Sequence, residues 1–564
     1  MISRESGQVL PLGIVLLLAG AITGIVLFNT GQVVSSKTQL ANAADAASYS
    51  GATWQARALN FNAYTNRAMV ANQVAMAQAV SLQSWAQYAR TTTGNIGTVL
   101  SPVPVLGQIA VSVQRVMRAF EPIMNGFGNG ILAVVDPLNS ALSMAQEAMY
   151  LSAFVASPQI VGRVATANDP RMRWQTAFSI GQIGNNLRNW QAFTERFTPT
   201  DAVAMDERVA MINASTDSFT ADRSWDFFDH YVPLTPIHWA RVERSGSTRL
   251  IRNRDNGETE WKAIDTLSLN NRFYYWFDSY ENLELPIGYS MKYANDRKDS
   301  LEDCSSVGSD CSDWFGRNRN AQFLARNINA DIGGGSNTPK SDVTYRGVRA
   351  YRSLSESIRR EESPSVILRT ELQLATDEIS DSRSLGIAPN LVNGLHESSE
   401  SVLSSVSSAE VYFNRPNDDA FEEYATGYNP YWAVRLAPTS STVRAAAMVL
   451  RGSGSATFAV TGNLANYDGE GEVELLGSDN DGSNLSQWAP EMVGESATLI
   501  DSSIGAMTDG LLSVFDNIVD SLLASIVPRR MGVANELASQ KLTDISVDNS
   551  TANADAVNGE NGRK

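Results

Sequence analysis

Twenty consecutive residues without a charge, residues 9–28, constrain this chain more than any other feature of its sequence. As a helix rising about 1.5 Å per residue, the run would be roughly 30 Å long, which is the thickness of a bilayer's hydrocarbon core. Pro11 lies near the start of the run, where a helix tolerates proline. The run therefore predicts one transmembrane helix. Its charged flanks, Arg4 and Glu5 before it and Lys37 after it, give only a slight positive-inside signal for its orientation.

A cleaved signal peptide is the alternative interpretation of this run. The apolar stretch of a signal peptide is usually shorter, about 7–15 residues, and the small-x-small site at Ala41 and Ala43 lies too far past the run. We therefore expect an uncleaved anchor. Within it, Gly20 and Gly24 form a G-x-x-x-G step, which lets two helices approach closely in lipid, and we assign them to membrane-helix packing.

Charge and motifs exclude several classes of function. The 44 basic and 61 acidic side chains give a formal net charge of −17, which argues against nucleic acid as a partner, because neutralising phosphates takes clustered Lys and Arg. The sequence carries no H-E-x-x-H, G-x-S-x-G or P-loop motif and no dinucleotide-binding fingerprint. We therefore expect no catalytic residues, no cofactor and no small-molecule substrate.

The two cysteines, Cys304 and Cys311, have six residues between them in a polar stretch. This spacing permits a small disulfide-closed loop, which would fit an oxidising compartment outside the cytoplasm. Two free thiols remain the alternative. Two cysteines with no histidine nearby cannot complete a four-ligand zinc site.

Alternating carboxylates at Asp479 and Asp481 resemble part of a calcium-binding loop, because oxygen ligands at alternate positions suit a hard cation. The first ligand position of that loop would be Gly477, however, and the twelfth would be Trp488 in place of Glu. An acidic turn is the better interpretation. We expect no metal site and keep these two aspartates as weak candidates.

Periodicity along the chain predicts an α+β protein. Ala-, Gln- and Met-rich sequence continues the membrane helix into a long helical stalk, and prolines break the helical pattern at residues 101–104 and 167–170. Strand patterns follow at residues 260–269, 272–277, 285–292, 365–372, 408–413 and 432–436, with a hairpin whose turn is residues 245–247. We expect a mostly antiparallel β-containing body.

These patterns divide the chain into seven regions. The predicted regions are a flank at 1–8, the transmembrane helix at 9–28, a helical stalk at 29–92, a helical region at 93–225, a β-rich body with loops at 226–495, an amphipathic helix at 496–535 and a disordered tail at 536–564.

The segment just beyond the anchor, residues 37–52, resembles the N-terminal signature of TadE/TadG-like Tad (Flp) pilus assembly proteins. That signature reads as a basic residue followed by L-x-N-A-A-D-A-A-x-x-x-G-A. The matching residues are Lys37, Leu40, Asn42, Ala44, Asp45, Ala47 and Gly51. Residues 60–72, 261–269 and 429–438 give a softer likeness to the TadG-related subgroup.

The resemblance implies a structural or assembly component of a pilus used in surface attachment. It implies a single-pass protein of the bacterial inner membrane with its bulk in the periplasm, and other pilus assembly components or pilins as partners. Pseudopilins of the family are cut after a Gly with Glu at the fifth mature position. Cutting after Gly7 would put Leu12 there, so we expect the anchor to stay attached.

Two other functions stay open at this stage. One is an extracytoplasmic adhesin or binding protein with a metal-supported site, and the other is an enzyme with an unrecognised site. The small-residue stripe of Ala44, Ala47 and Gly51 likewise has two interpretations, because its i, i+3, i+7 spacing would let either another subunit or the chain's own helices pack closely.

Overall fold

The protein is an α+β molecule with a long N-terminal apolar helix, further helices and antiparallel sheets, as predicted. The structure, a computed structural model, describes residues 9–103, 105–231, 237–274, 280–297, 318–326, 344–359, 361, 363–382, 402–415 and 423–452. The cysteines Cys304 and Cys311, the aspartates Asp479 and Asp481, and the predicted regions 496–535 and 536–564 lie outside the described residues.

Two long helices dominate the first third of the chain, α1 (Val9–Leu100) and α2 (Leu106–Asn168). The predicted breaks on either side of α2 are confirmed, since α1 ends at Leu100 and α2 ends at Asn168. Pro102 and Pro170 lie in these breaks, and each lacks a backbone N–H and disfavours helix at the residue before it. The shorter helices are α3 (Ala177–Phe193), α4 (Ala202–Ala214), α5 (Ser218–Ala221), α6 (Arg319–Arg326), α7 (Glu356–Arg359) and α8 (Ser441–Gly452), with a 3-10 turn at Thr376–Glu378.

The strands form three antiparallel sheets. A two-stranded sheet pairs β1 (Thr194–Phe197) with β6 (Tyr351–Leu354). The four-stranded sheet has the order β2 (Trp225–Tyr231), β3 (Ile237–Arg252), β4 (Thr259–Tyr274), β5 (Tyr280–Ala294). The three-stranded sheet has the order β7 (Ser365–Ala375), β8 (Val402–Phe413), β9 (Trp432–Ala437).

The predicted hairpin turn at residues 245–247 is wrong. Ser245, Gly246 and Ser247 pair with β4 in unbroken register, in the middle of β3. The Ser-Gly-Ser sequence is typical of a turn, but here the glycine is needed for space, since a Cβ on Gly246 would collide with the carboxylate of Asp265. The predicted separate strand at 272–277 is also corrected, because its described residues, 272–274, continue β4.

The chain divides into two compact units, each assembled from distant stretches of sequence. Unit 1 takes the described residues of Met1–Ala71, Ser140–Met205 and Arg349–Thr508, and unit 2 takes those of Asn72–Asn139, Asp206–Val348 and Asp509–Lys564. The core of unit 1 packs alanines of α1 against large side chains of later elements, among them Val161, Trp190, Phe193, Leu368 and Trp432. The core of unit 2 includes Ile264, Tyr289, Met291, Tyr293, Ala321 and Ala325.

Candidate functional site: helix α1 and the segments bonded to it

The first five turns of α1 present apolar side chains to the outside. None of the most apolar window of this helix is buried, and by length and composition the helix is able to cross a membrane. The exposed large side chains are Leu10, Leu12, Ile14, Val15, Leu16, Leu17, Leu18, Ile22, Val26, Leu27 and Phe28. An uninterrupted apolar surface of this kind is unfavourable in water and is typical of a lipid-facing segment.

Burial begins at Asn29, one residue after the predicted end of the membrane span. The Asn29 amide Nδ2 donates to the Ser382 hydroxyl at 3.2 Å, and the Ser382 backbone N–H donates to Asn29 Oδ1 at 2.9 Å. Gly20 and Gly24 lie within the exposed part, and a Cβ on either would meet nothing within 4 Å. Their role in packing against another membrane helix stays a prediction.

The predicted small-residue stripe packs against the chain itself. Ala44, Ala47 and Gly51 are buried in unit 1. A Cβ on Gly51 would lie 2.6 Å from Leu368 Cδ2 of β7 and 2.9 Å from Val161 Cγ2 of α2. The sequence left two partners open for the stripe, another subunit or the chain's own helices. The contacts in the structure are with the chain's own elements. The stripe lets α1 lie unusually close to α2 and β7.

The other signature residues divide between the inside and the outside of unit 1. Leu40 is fully buried and packs with Leu372 and Leu374 of β7. Lys37 lies on the exposed side and donates from Nζ to the backbone carbonyl of Ser404 in β8. Asn42 is exposed and Asp45 is half-buried.

About four turns beyond Asp45, asparagines of α1 bind backbone groups of distant segments. Asn60 Nδ2 donates to the carbonyl of Trp432 at 2.9 Å, and the Trp432 backbone N–H donates to Asn60 Oδ1 at 3.0 Å. Asn66 is fully buried, and its Nδ2 donates to the carbonyls of Arg352 and Gly427 at 2.9 and 2.8 Å. These bonds satisfy backbone groups of β6, of β9 and of the turn at Gly427 at the surface of the helix.

Gln146 of α2 completes this network in unit 1. Its Nε2 donates to Asn66 Oδ1 at 2.9 Å and to the Thr65 hydroxyl at 2.7 Å, while its Oε1 accepts from the Arg352 backbone N–H at 2.9 Å. The guanidinium of Arg352 lies over the ring of Tyr150 and donates to Glu147. A single buried amide therefore connects α1, α2 and β6.

In unit 2 the same helix holds the four-stranded sheet through Gln73. The Trp261 indole N–H donates to Gln73 Oε1 at 3.0 Å, and the Tyr345 hydroxyl donates to the same oxygen at 2.9 Å. Asn72 donates to Asn139 Oδ1 at 2.9 Å. Three segments were noted above for a softer likeness to the TadG-related subgroup, residues 60–72, 261–269 and 429–438. The first belongs to α1, and the other two are hydrogen-bonded directly to it.

Sequence reasoning missed the buried amides as a set. Gln55, Asn62, Asn66 and Gln73 are all buried in α1, at spacings of seven, four and seven residues. That spacing puts them on one helical face, and it was readable in the sequence as a polar stripe among alanines. Hydropathy alone assigns such a stripe to solvent, because amides are mostly exposed.

Unit 2 also contains a buried ionic cluster centred on Asp265. Arg223 Nε donates to Asp265 Oδ1 at 2.7 Å, Ser84 donates to Oδ2 at 2.7 Å, and Arg244 Nη2 lies 3.3 Å from Oδ1. Burial by itself raises the pKa of Asp265, but the charge of Arg223 and the hydrogen bonds from Arg223 and Ser84 outweigh it, so the pKa lies below its ordinary value. Arg244 also covers the ring of Tyr88, whose pKa is raised chiefly by burial.

The chemistry available at this cluster is structural. Asp265 is an acceptor satisfied by two arginines and a serine, which leaves it no proton to donate and no free access to solvent. Among the residues that the structure describes, no group of three or more His, Cys, Asp or Glu side chains is arranged to hold a metal ion. The cluster is therefore best understood as a polar core beneath the sheet.

Comparison with known proteins adds one finding. Residues 7–56 match the family model for Flp pilus-assembly TadE/G-like sequences, termed Tad. The matched stretch covers the exposed apolar turns, the signature residues and the buried small-residue stripe, which confirms the predicted resemblance. It supports a role related to Tad pili. No curated protein and no solved structure matches the chain.

Proposed function

We propose that the chain is a structural or assembly component of a Tad (Flp) pilus, held in the bacterial inner membrane by residues 9–28. The observation that carries the proposal is the coincidence of the TadE/G-like match over residues 7–56 with the exposed apolar part of α1. The matched region contains both a segment suited to lipid and the stripe by which that segment joins a folded body. The matched region therefore has two roles: it anchors the protein in the membrane, and it attaches that anchor to the folded body.

The remainder of the chain acts as a binding or scaffolding body, with no catalysis. Several of its polar side chains hold distant segments together, as the amides of Asn60, Asn66 and Gln73 illustrate. The partners are other pilus assembly components or pilins. The body lies in the periplasm, where it supports pilus biogenesis and surface attachment.

Deletion of the gene tests this function. The expected result is a loss of pili, counted by electron microscopy, together with reduced attachment to a surface, both restored by the wild-type gene supplied in trans. Normal pilus counts and normal attachment in the deletion strain would overturn the proposal.

Protease added to spheroplasts tests the location. A C-terminal epitope on the full chain should be degraded while a cytoplasmic marker stays intact, because the proposal puts the body outside the cytoplasm. An epitope that is degraded only after the cells are lysed would place the body in the cytoplasm and contradict the proposed location.

A further inference from the structure

The first three heptads of α2 carry an apolar seam on the surface of unit 2. We name the α2 seam by its residues, which follow one another at alternating intervals of three and four. They are Leu106, Ile109, Val113, Val116, Phe120, Ile123 and Phe127. All but Phe120 are exposed, and Val116 is 60% exposed. An interval averaging 3.5 residues is the period by which one helix packs along another.

Helix α1 does not occupy this seam, because it contacts a different side of α2. Glu121 of α2 pairs with Arg90 of α1 at 2.6 Å, and Gln83 of α1 donates to the carbonyl of Asn125 at 3.0 Å. Of the seam residues only Phe120 has a ring contact with α1, with its ring centroid 6.1 Å from that of Trp85. The seam is therefore available to a further helix.

We propose that the α2 seam binds the chain's own C-terminal segment, residues 500–522, as a helix. In this segment apolar residues follow one another at intervals of four, three, four, three and four, and Leu522 adds one more turn. They are Ile500, Ile504, Met507, Leu511, Val514 and Ile518. At about 1.5 Å per residue, the seam and the segment would be about 31 and 33 Å long, so one covers the other from end to end.

Charge favours this occupant over a second copy of the seam. Residues 500–522 contain four aspartates and no Lys or Arg. The seam region of α2 exposes Arg115 and Arg118, whereas its one acidic residue, Glu121, is paired with Arg90. Two copies of the seam would bring arginines near arginines, and the acidic segment would bring opposite charges together.

Chain length allows the contact between the C-terminal segment and the seam. The chain continues for 112 residues after Gly452, the last residue of α8, of which residues 453–499 precede the segment. Intervals of three and four residues suit a partner helix, because each side chain must enter a gap between side chains of its neighbour. A helix lying on a bilayer has a similar apolar face, so charge and chain length decide the occupant here, and the lipid adducts in the test below distinguish the two.

Photocross-linking in the full chain tests the proposal. Benzoylphenylalanine replaces Val116 in the seam, and in a control chain it replaces Tyr64, which is 62% exposed and lies in unit 1. Mixed isotopically heavy and light chains distinguish cross-links within a chain from those between chains. We expect cross-links within one chain from position 116 to peptides of residues 500–522, at a yield several-fold above that from position 64.

Every other product would overturn the proposal. Cross-links between heavy and light chains would assign the seam to a second copy, and lipid adducts would assign it to a bilayer. A cross-linking yield at position 116 no higher than that at position 64 would show that residues 500–522 do not occupy the seam. As a second test, Leu511→Asp with Ile518→Asp should abolish the cross-link at position 116, whereas Ser513→Asp, on the opposite side of the predicted helix, should retain it. Equal yields from the two variants would also refute it.

Discussion

The side-chain amide of Asn60 is bonded at both ends to the backbone of Trp432. Nδ2 donates to the Trp432 carbonyl and Oδ1 accepts from the Trp432 N–H, at 2.9 and 3.0 Å. Asn60 thus acts toward β9 as a neighbouring strand would, although it belongs to a helix. The Trp432 ring lies edge-on to Phe193 and Phe413, so the two bonds also fix a side chain of the unit 1 core.

Replacing Asn60 by Ala should lower the free energy of unfolding by about 1–3 kcal/mol, because both backbone groups of Trp432 lose their partner. Asn42→Ala is the matched control, since Asn42 is exposed on the same helix, and it should change stability by less than about 0.5 kcal/mol. Denaturant unfolding of the full chain in detergent, followed by tryptophan fluorescence, measures both. Equal effects would contradict the role assigned to Asn60.

Gly51→Ala should destabilise unit 1 by about 1–3 kcal/mol, because the added methyl would press on Leu368 and Val161 in a closely packed region. Gly31→Ala should have the opposite effect and stabilise α1 by up to about 1 kcal/mol, since nothing lies within 4 Å of its Cβ position and Ala favours helix over Gly. Thermal unfolding of the two variants provides the comparison. A stable Gly51→Ala protein would show that α1 packs less closely than described.

Acid should weaken unit 2 through Asp265. The folded-state pKa of Asp265 lies below its unfolded value of about 3.9, so its contribution to stability is present above that value and is lost as the pH falls through the folded pKa. Asp265→Asn should therefore be less stable at neutral pH and should lose less stability than wild type below about pH 4. Urea unfolding at a series of pH values measures this. Parallel curves for the two proteins would rule out a contribution from Asp265.

Charge in the exposed apolar turns should release the protein from membranes. Leu16→Arg with Leu17→Arg places two charges in the middle of residues 9–28, at a cost of about 2.5–3.5 kcal/mol each in a bilayer. Ser36→Arg, beyond the predicted span, is the control and should leave the protein in the membrane fraction. Carbonate extraction and ultracentrifugation separate the two outcomes. If the double variant still sediments with membranes, the anchor lies elsewhere.

Local patterns in the sequence were enough to predict most of the long elements of the fold, although β1, β2 and β6 were not predicted. Prolines marked both ends of α2, and alternating apolar residues located β4, β5, β7, β8 and β9, because these signals depend on neighbouring residues alone. The turn predicted at residues 245–247 failed for the opposite reason. Gly246 is required by Asp265, a residue on another strand, and no local pattern records that contact.

The polar contacts of α1 were harder to predict than its length. Asn66 meets Gly427 across 361 residues and Gln73 meets Tyr345 across 272, so neither partner can be inferred from periodicity. The exposed apolar turns and the small-residue stripe were predictable because each is a property of α1 by itself. Which surface the stripe would contact was decided by elements far along the chain.

The pairing of Asn60 with Trp432 also limits how early unit 1 can complete its folding during synthesis. The two residues are 372 positions apart, which at about 5–20 residues per second of synthesis corresponds to roughly 20–75 s between their appearances. Throughout that interval Asn60 lacks its strand, whereas β4 and β7, which meet Gln73 and Gly51, are synthesised earlier. A premature stop anywhere before β9 would therefore leave Asn60, near the start of the chain, without the backbone groups that it binds.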